Sequence, residues 1–148
     1  MSLASAHKYT GGCYCGNVTF EMTSDKALSS LEPRACDCQF CLKHGAAYLS
    51  DAQGTLTFKA QSASRFMRYQ QGSGIADFLI CQNCGVLVGI THGKPGSRVG
   101  AVNSRAMERV AELPCPVQIS PKEMPSSQRA ERWKALWFPN VDVVVISG

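Results

Sequence analysis

The sequence predicts a mainly β fold with one short helix near the C-terminus. Three observations support this: 13 glycines and 7 prolines in 148 residues, several short runs of apolar or alternating residues, and few helix signals. Glycine and proline favour turns, and short alternating runs are typical of half-buried strands. At this length we expect one domain, 1–148, and 45% hydrophobic residues are enough to build its core.

Individual strands are predicted where polar and apolar residues alternate, or where a short apolar run stands between turn residues. The predicted strands are 17–22, 56–58, 65–69, 75–80, 86–90, 99–102 and 141–146. The two strands on either side of residues 70–74 predict a hairpin, because that segment contains two glycines. Gly85 stands where a turn is expected to need a positive φ.

One helix is predicted from Ser126 to residue 136 or 137. Ser126 is a capping residue type, and good helix formers follow it. Trp133 and Trp137 are four residues apart, so we expect them to share one helix face and to pack it onto the sheet. Residues 34–43 are expected to be mostly a loop that carries metal ligands.

Seven of the eight cysteines fall into three tight clusters. These are Cys13 and Cys15; Cys36, Cys38 and Cys41; and Cys81 and Cys84. A spacing of one or two residues suits two bonds of about 2.3 Å to one zinc ion. The same spacing suits disulfides poorly, because near neighbours rarely reach the required Cα separation. The clusters therefore predict metal sites that tertiary folding brings together.

Seven ligands divide naturally into four and three. Four thiolates close a tetrahedral structural zinc site, whereas three leave a coordination position open, as in catalytic sites. The alternatives are one structural zinc with spare thiols, a redox cluster, or an iron–sulfur site.

Composition and charge exclude other classes of protein. No stretch of about 18 apolar residues exists, so no membrane span is expected, and the N-terminus lacks an apolar signal core. The formal net charge of +4 would fall to about +1 with seven thiolates and two zinc ions. The sequence has no basic run with interleaved aromatic residues, so nucleic acid binding is not expected. Reduced thiols at metal sites predict a cytoplasmic protein.

The three clusters, in order and with their flanking glycines, resemble a known family. The pattern is Gly12-Cys13-Tyr14-Cys15-Gly16, then Cys36-Asp37-Cys38-Gln39-Phe40-Cys41, then Cys81-Gln82-Asn83-Cys84-Gly85. It resembles the glutathione-dependent formaldehyde-activating enzyme family, which includes the centromere protein V group, over roughly residues 10–125. The resemblance implies a β-tent of antiparallel sheets. It also implies a closed structural zinc site at Cys13, Cys15, Cys81 and Cys84, and an open site at Cys36, Cys38 and Cys41.

The function that the resemblance implies is a zinc-dependent carbon–sulfur lyase acting on a thiol adduct of a small aldehyde, with glutathione as one such thiol. The open site, Cys36, Cys38 and Cys41, would be the catalytic one. A zinc ion with three thiolates suits thiol activation better than hydroxide formation. The alternative function is a non-catalytic, zinc-stabilised module that binds a protein partner.

An anionic thiol such as glutathione needs cationic contacts. The nearest candidates in sequence are Lys43, His44, Arg65 and Arg68. The arginines could instead form a solvated strand face. His44 could also close the three-cysteine site as a fourth ligand, or be an ordinary loop residue. Cys115, between two prolines, is either a redox residue or a small buried residue in a turn.

Overall fold

The computed structural model describes residues 6–70 and 74–147, and these contain eleven strands and two helices. The strands are β1 His7–Gly12, β2 Val18–Ser24, β3 Arg34–Cys36, β4 Ala47–Leu49, β5 Thr55–Ser62, β6 Phe66–Tyr69, β7 Asp77–Cys81, β8 Leu87–His92, β9 Val99–Asn103, β10 Val117–Ile119 and β11 Asp142–Ser147. The helices are α1 Gln39–His44 and α2 Ser126–Leu136.

The strands form two open sheets. The first has four strands in the order β1-β2-β5-β11, and the second has seven in the order β10-β3-β4-β9-β8-β7-β6. Neighbouring strands are antiparallel except at two edges, where β11 runs parallel to β5 and β10 runs parallel to β3. This architecture confirms the predicted mainly β class.

The four-stranded sheet turns one apolar face toward the seven-stranded sheet. In β2, Val18, Phe20 and Met22 are buried while the residues between them are less so, which is the alternation that predicted this strand. Phe58 of β5 joins them, with its ring centroid 6.0 Å from that of Phe20 in an edge-to-face arrangement. Opposite them lies Leu79 of β7, in the same buried cluster.

The central strands of the seven-stranded sheet, β4, β9, β8 and β7, are buried on both faces. Leu79 belongs to the cluster between the sheets, whereas Phe78 and Ile80, its neighbours in β7, belong to a second cluster with Ile90 and Trp137. Adjacent strand residues point to opposite faces, so one strand supplies both clusters. The second face is the one on which the three-cysteine cluster and α2 lie.

Most of the sequence-based elements are confirmed. The hairpin of β6 and β7 has Met67 opposite Ile80, although its loop at 71–73 lies outside the described residues. Gly85 adopts a φ of 83°. The helix α2 occupies the predicted residues, but its N-cap is Pro125, with no side-chain cap hydrogen bond, and Ser126 is its first residue.

The sequence patterns missed β1, β3, β4 and β10. Three of these are only three residues long, too short for alternation to be detected. The segment 34–43, expected to be mostly loop, contains β3 and the first five residues of α1. No helix among residues 6–70 and 74–147 has the length and hydrophobicity to cross a membrane.

We predict that Gly89→Ala lowers the free energy of unfolding by about 1–3 kcal/mol, because Gly89 makes room for Phe58 between the sheets. A Cβ on Gly89 would lie 2.7 Å from Phe58 Cε1 and 2.7 Å from the Ala101 carbonyl oxygen. Urea denaturation measures the change. Combining Gly89→Ala with Phe58→Leu should cost less than the sum of the two single changes. Additive costs would mean that this ring does not limit the approach of the sheets.

Candidate metal and substrate sites

Four thiols meet where the two sheets are joined. Cys13 and Cys15 lie in the turn between β1 and β2, while Cys81 ends β7 and Cys84 lies in the turn that leads to β8. All four Sγ atoms lie within 4.8 Å of one another. The Cys13–Cys15 and Cys15–Cys81 sulfur separations are 3.8 and 3.7 Å. A tetrahedral zinc with bonds of about 2.3 Å requires sulfurs about 3.8 Å apart, so this group fits such an ion.

Backbone and side-chain amides surround these sulfurs. The Val18 N–H lies 3.3 Å from Cys13 Sγ, and the Cys84 N–H lies 3.5 Å from Cys81 Sγ. The Asn17 side-chain amide donates to Cys81 Sγ at 3.7 Å. Amide donors favour the thiolate form of a cysteine, and a metal ion requires that form.

Without a metal, the thiols of this group differ in acidity. Burial raises the pKa of Cys13 to about 12. The Asn83 side chain, followed by the Asn17 backbone, lowers the pKa of exposed Cys15 to about 6. Buried Cys13 therefore holds its proton near neutral pH. A metal ion must displace that proton to be bound by the Cys13 thiolate.

The second group contains the thiols of Cys36, Cys38 and Cys41, again within 4.8 Å of one another. Cys36 ends β3, Cys38 is the N-cap of α1, and Cys41 lies inside that helix. The Cys41 backbone N–H donates a hydrogen bond to Cys38 Sγ at 3.4 Å. The Tyr48 hydroxyl lies 3.2 Å from Cys41 Sγ. Three thiols fit a metal ion and leave one position of a tetrahedron for another ligand.

Hydrogen bonds within the group decide which thiol ionises first in the absence of a metal. The Cys41 thiol donates to Cys36 and lowers the pKa of Cys36 to about 6, against the opposing effect of burial. The same bond, together with burial, raises the pKa of Cys41 strongly. Burial also raises the pKa of Tyr48, so its phenol stays protonated and can donate to the Cys41 sulfur.

The three-cysteine group opens onto a cleft between the seven-stranded sheet and α2. Its wall includes four cationic side chains, and no acidic residue is among the described residues that line it. The cations are Arg34, Lys122, Arg129 and Arg132. Apolar side chains line the same cleft, including Ile75, Phe78, Ile90, Trp133 and Trp137. The cleft thus combines positive charge with a largely apolar wall.

Arg34 is held in place by a chain of hydrogen bonds. Its Nη2 donates to Ser50 Oγ at 2.7 Å, and Ser50 Oγ donates to the Leu136 carbonyl at 2.8 Å. Burial lowers the pKa of Arg34, and the nearby charge of Arg132 lowers it further. Two cations that face one another in a partly buried place are stabilised by a bound anion. The Lys122 ammonium has a carboxylate 3.9 Å away, that of Asp37.

The structure places Lys43 and His44 away from this cleft. Both lie in the last turn of α1 and are exposed. The His44 ring packs 4.6 Å from the Phe40 ring, centroid to centroid. The three-thiol group includes no histidine nitrogen, so His44 is not brought to the site as a fourth ligand. The structure does not bring these two side chains together with the three thiols, because the last turn of α1 directs them into solvent.

Arg65 and Arg68 also lie elsewhere. The Arg65 guanidinium donates to the Asn83 side chain at 3.2 Å, beside the four-cysteine group. Arg68 stands over the Phe66 ring at 5.5 Å and is exposed on β6. Cys115, expected to be a redox residue or a small buried one, is exposed and belongs to neither thiol group.

The cations that do line the cleft were missed by the sequence analysis. Arg34 precedes Cys36 by two residues, so the two residues share one face of β3; that periodicity was the available signal. Arg129, Arg132 and Trp133 are on a helix that the sequence predicts, but no pattern tells where that helix docks.

Fold and site together define a class: a mainly β protein that carries a four-thiol group at the junction of its sheets and a three-thiol group on a cleft. Residues 8–122 match the family model described as glutathione-dependent formaldehyde-activating enzyme, and the chain belongs to this family. The match ends before α2.

The fold is similar to the crystal structure of a Rhodobacter sphaeroides protein, with a TM-score of 0.56 and 24% sequence identity. The superposition covers 74% of this chain and 99% of that one. No curated protein matches the chain.

We predict that Cys84→Ala loses one metal ion per chain and lowers the melting temperature by about 5 °C or more. Binding to a closed site contributes folding free energy, and about 1 kcal/mol corresponds to 2–4 °C in a domain of this size. Calorimetry and elemental analysis on one sample measure both effects. Cys115→Ala is the control, since Cys115 is exposed and outside both groups. Equal melting of Cys84→Ala and the parent protein would contradict a structural metal.

We predict that Cys38→Ala also loses one metal ion per chain but retains the secondary structure. Cys38 lies between β3 and α1, outside both sheets, and the four-thiol group that joins the sheets stays intact. Circular dichroism and metal content test the two halves together. Loss of the β-sheet signal would show that the three-cysteine group, too, is required for folding.

Proposed function

We propose that this protein is a zinc-dependent enzyme of the carbon–sulfur lyase type, which forms or cleaves the adduct of a glutathione-type thiol with an aldehyde. Zinc would occupy both thiol groups, as a structural ion at Cys13, Cys15, Cys81 and Cys84 and as the reactive ion at Cys36, Cys38 and Cys41. The observation that carries the proposal is the position of the three-thiol group on a cleft lined by four cations and, among its described lining residues, no carboxylate.

The family match supports this proposal, and so does the donor chemistry. Thiolates are soft ligands that select zinc or iron over hard cations. A zinc ion held by three thiolates supplies an open coordination position at which a substrate thiol loses its proton. Because the thiols must stay reduced, we also propose a cytoplasmic setting. We further propose that residues 1–148 form a single zinc-binding domain.

The cations of the cleft would bind the substrate's carboxylates. Glutathione carries two carboxylates, and guanidinium groups bind carboxylates through two parallel hydrogen bonds. Arg34 is fixed by Ser50 and faces Arg132, so an anion between them relieves their repulsion. Binding the carboxylates at these residues would hold the thiol in a defined orientation within the cleft.

Tyr48 would control the charge of the thiolate group. Its hydroxyl lies 3.2 Å from Cys41 Sγ, and both residues are buried. A hydrogen bond to a ligand sulfur withdraws electron density from it and fixes its position. The buried surroundings of Cys41 and Tyr48 also exclude water from that side of the group.

The addition forms a carbon–sulfur bond and an O–H bond, and it breaks the S–H bond and the carbonyl π bond. In the direction of addition, the thiol sulfur attacks the carbonyl carbon of the aldehyde, and the thiol proton ends on the carbonyl oxygen. In cleavage the carbon–sulfur bond breaks, and the hydroxyl proton returns to sulfur. The reaction involves no redox change. The chain would contribute mainly by holding the thiol and the carbonyl group close together.

We predict that glutathione binds at the three-cysteine group of the cobalt-substituted protein and strengthens its sulfur-to-cobalt charge-transfer band. The response should vanish in Cys38→Ala, which removes one thiol of the group. Arg132→Ala should weaken the apparent affinity for glutathione about 5- to 30-fold, as expected for loss of one partly exposed charge-assisted hydrogen bond worth ~1–2 kcal/mol. Titration by absorption spectroscopy measures the affinity.

Two controls make this test specific. Arg68→Ala removes an exposed arginine that does not line the cleft, and it should leave glutathione affinity unchanged. The uncharged thiol 2-mercaptoethanol should bind Arg132→Ala and the parent protein equally. If millimolar glutathione leaves the spectrum unaltered, the thiol-binding function is wrong, and the non-catalytic binding module becomes the better reading.

A further inference from the structure

The three-cysteine group is embedded in an apolar cluster. Cys41 is buried in the same cluster as Phe78, Ile90 and Trp137, and Cys36 packs against it. A metal-binding group that handled only small polar species would need polar partners around its open side. Here, the cluster that contains Cys41 and packs against Cys36 is made of aromatic and aliphatic side chains, and several of them also line the cleft.

Helix α2 contributes an aromatic surface to this cleft. The rings of Trp133 and Trp137 stack with centroids 4.6 Å apart and an interplanar angle of 10°. The His92 ring packs edge-to-face against Trp133, with the two ring centroids 5.4 Å apart. Trp137 is buried, whereas Trp133 is partly exposed and so remains available for contact.

The cationic and apolar linings serve different parts of a bound molecule. Arginines match the carboxylates of the thiol, but they do not explain the apolar wall. An adduct of formaldehyde places only one carbon and one hydroxyl on the sulfur, and such a group buries almost no apolar surface. Each methylene that does become buried raises affinity by about fourfold.

The wall that α2 supplies lies outside the part of the chain that matches the family. The family match covers residues 8–122, whereas Trp133 and Trp137 lie beyond it. The family match therefore does not constrain the group that this wall contacts.

We infer that the aldehyde handled at the three-cysteine group carries an apolar or aromatic substituent. This inference rests on the proposed function and specifies its substrate class. The substituent lies against Trp133, Phe78 and Ile90 while the thiol's carboxylates lie on the arginines. The adduct is RS–CH(OH)–R′, with R′ a hydrocarbon group. It forms as the sulfur–carbon bond forms and the thiol proton moves to oxygen.

The test compares two inert thioethers, S-methylglutathione and S-hexylglutathione, with the zinc-loaded protein. The two have the same charges and differ only in five methylenes, so charge cannot separate them. Because Trp133 and Trp137 are the only two tryptophans, intrinsic fluorescence reports binding in the cleft. We expect S-hexylglutathione to bind at least tenfold more tightly than S-methylglutathione.

Variants locate the preference. Trp133→Ala should reduce the ratio of the hexyl to the methyl thioether affinity to about threefold or less, as measured by calorimetry. Ile75→Ala, which changes a different residue of the cleft wall, should also reduce this ratio. Ile146→Ala, which removes an exposed apolar side chain of β11, should leave the ratio unchanged. Turnover of glutathione with benzaldehyde should exceed turnover with formaldehyde in kcat/KM.

Equal affinities for the two thioethers, with the cobalt response to glutathione retained, would overturn the apolar substrate class and leave the proposed function standing. A missing cobalt response, with neither thioether bound, would overturn both. A tenfold preference that survives both Trp133→Ala and Ile75→Ala would place the alkyl chain outside this cleft and would also overturn the inference.

Discussion

The junction made by four thiols determines how the rest of the molecule is arranged. Cys13 and Cys15 belong to the turn of the four-stranded sheet, and Cys81 and Cys84 belong to the β7–β8 turn of the other sheet. Joining these turns sets the distance between the sheets. At that distance, the Phe58 ring lies over Gly89, and a side chain at position 89 would collide with the ring. A partly buried cluster of sulfur atoms at the junction thus controls packing in the core.

The same junction acts on the cleft beside the three-thiol group through a single strand. In β7, Leu79 points into the core between the sheets, while Phe78 and Ile80 point to the cleft face. Because neighbouring side chains of a strand point to opposite faces, a shift of β7 moves both layers together. The four-thiol group and the three-thiol group are therefore mechanically connected, although they share no residue.

The sequence predicted the parts of this protein that are encoded locally. Paired cysteines signal ligands because their spacing alone limits their chemistry, and alternation signals strands such as β2. The cationic wall could not be predicted in this way. Arg34 and Arg132 are almost a hundred residues apart, and only the parallel pairing of β10 with β3 and the docking of α2 place them on one cleft. The nearest cations in sequence, such as Lys43, lie on the outer face of a short helix instead.

The two thiol groups also differ in how far apart their ligands are along the chain. Cys36, Cys38 and Cys41 are neighbours, whereas Cys15 and Cys81 are 66 residues apart. Closing the longer loop has an entropic cost that the local group does not have. During synthesis from the N-terminus, five thiols emerge before Cys81 does, and three of them already form a complete local ligand set. With a metal ion in each group, Cys13 and Cys15 would have to wait for their two remaining partner thiols until the second half of the chain has folded onto the first.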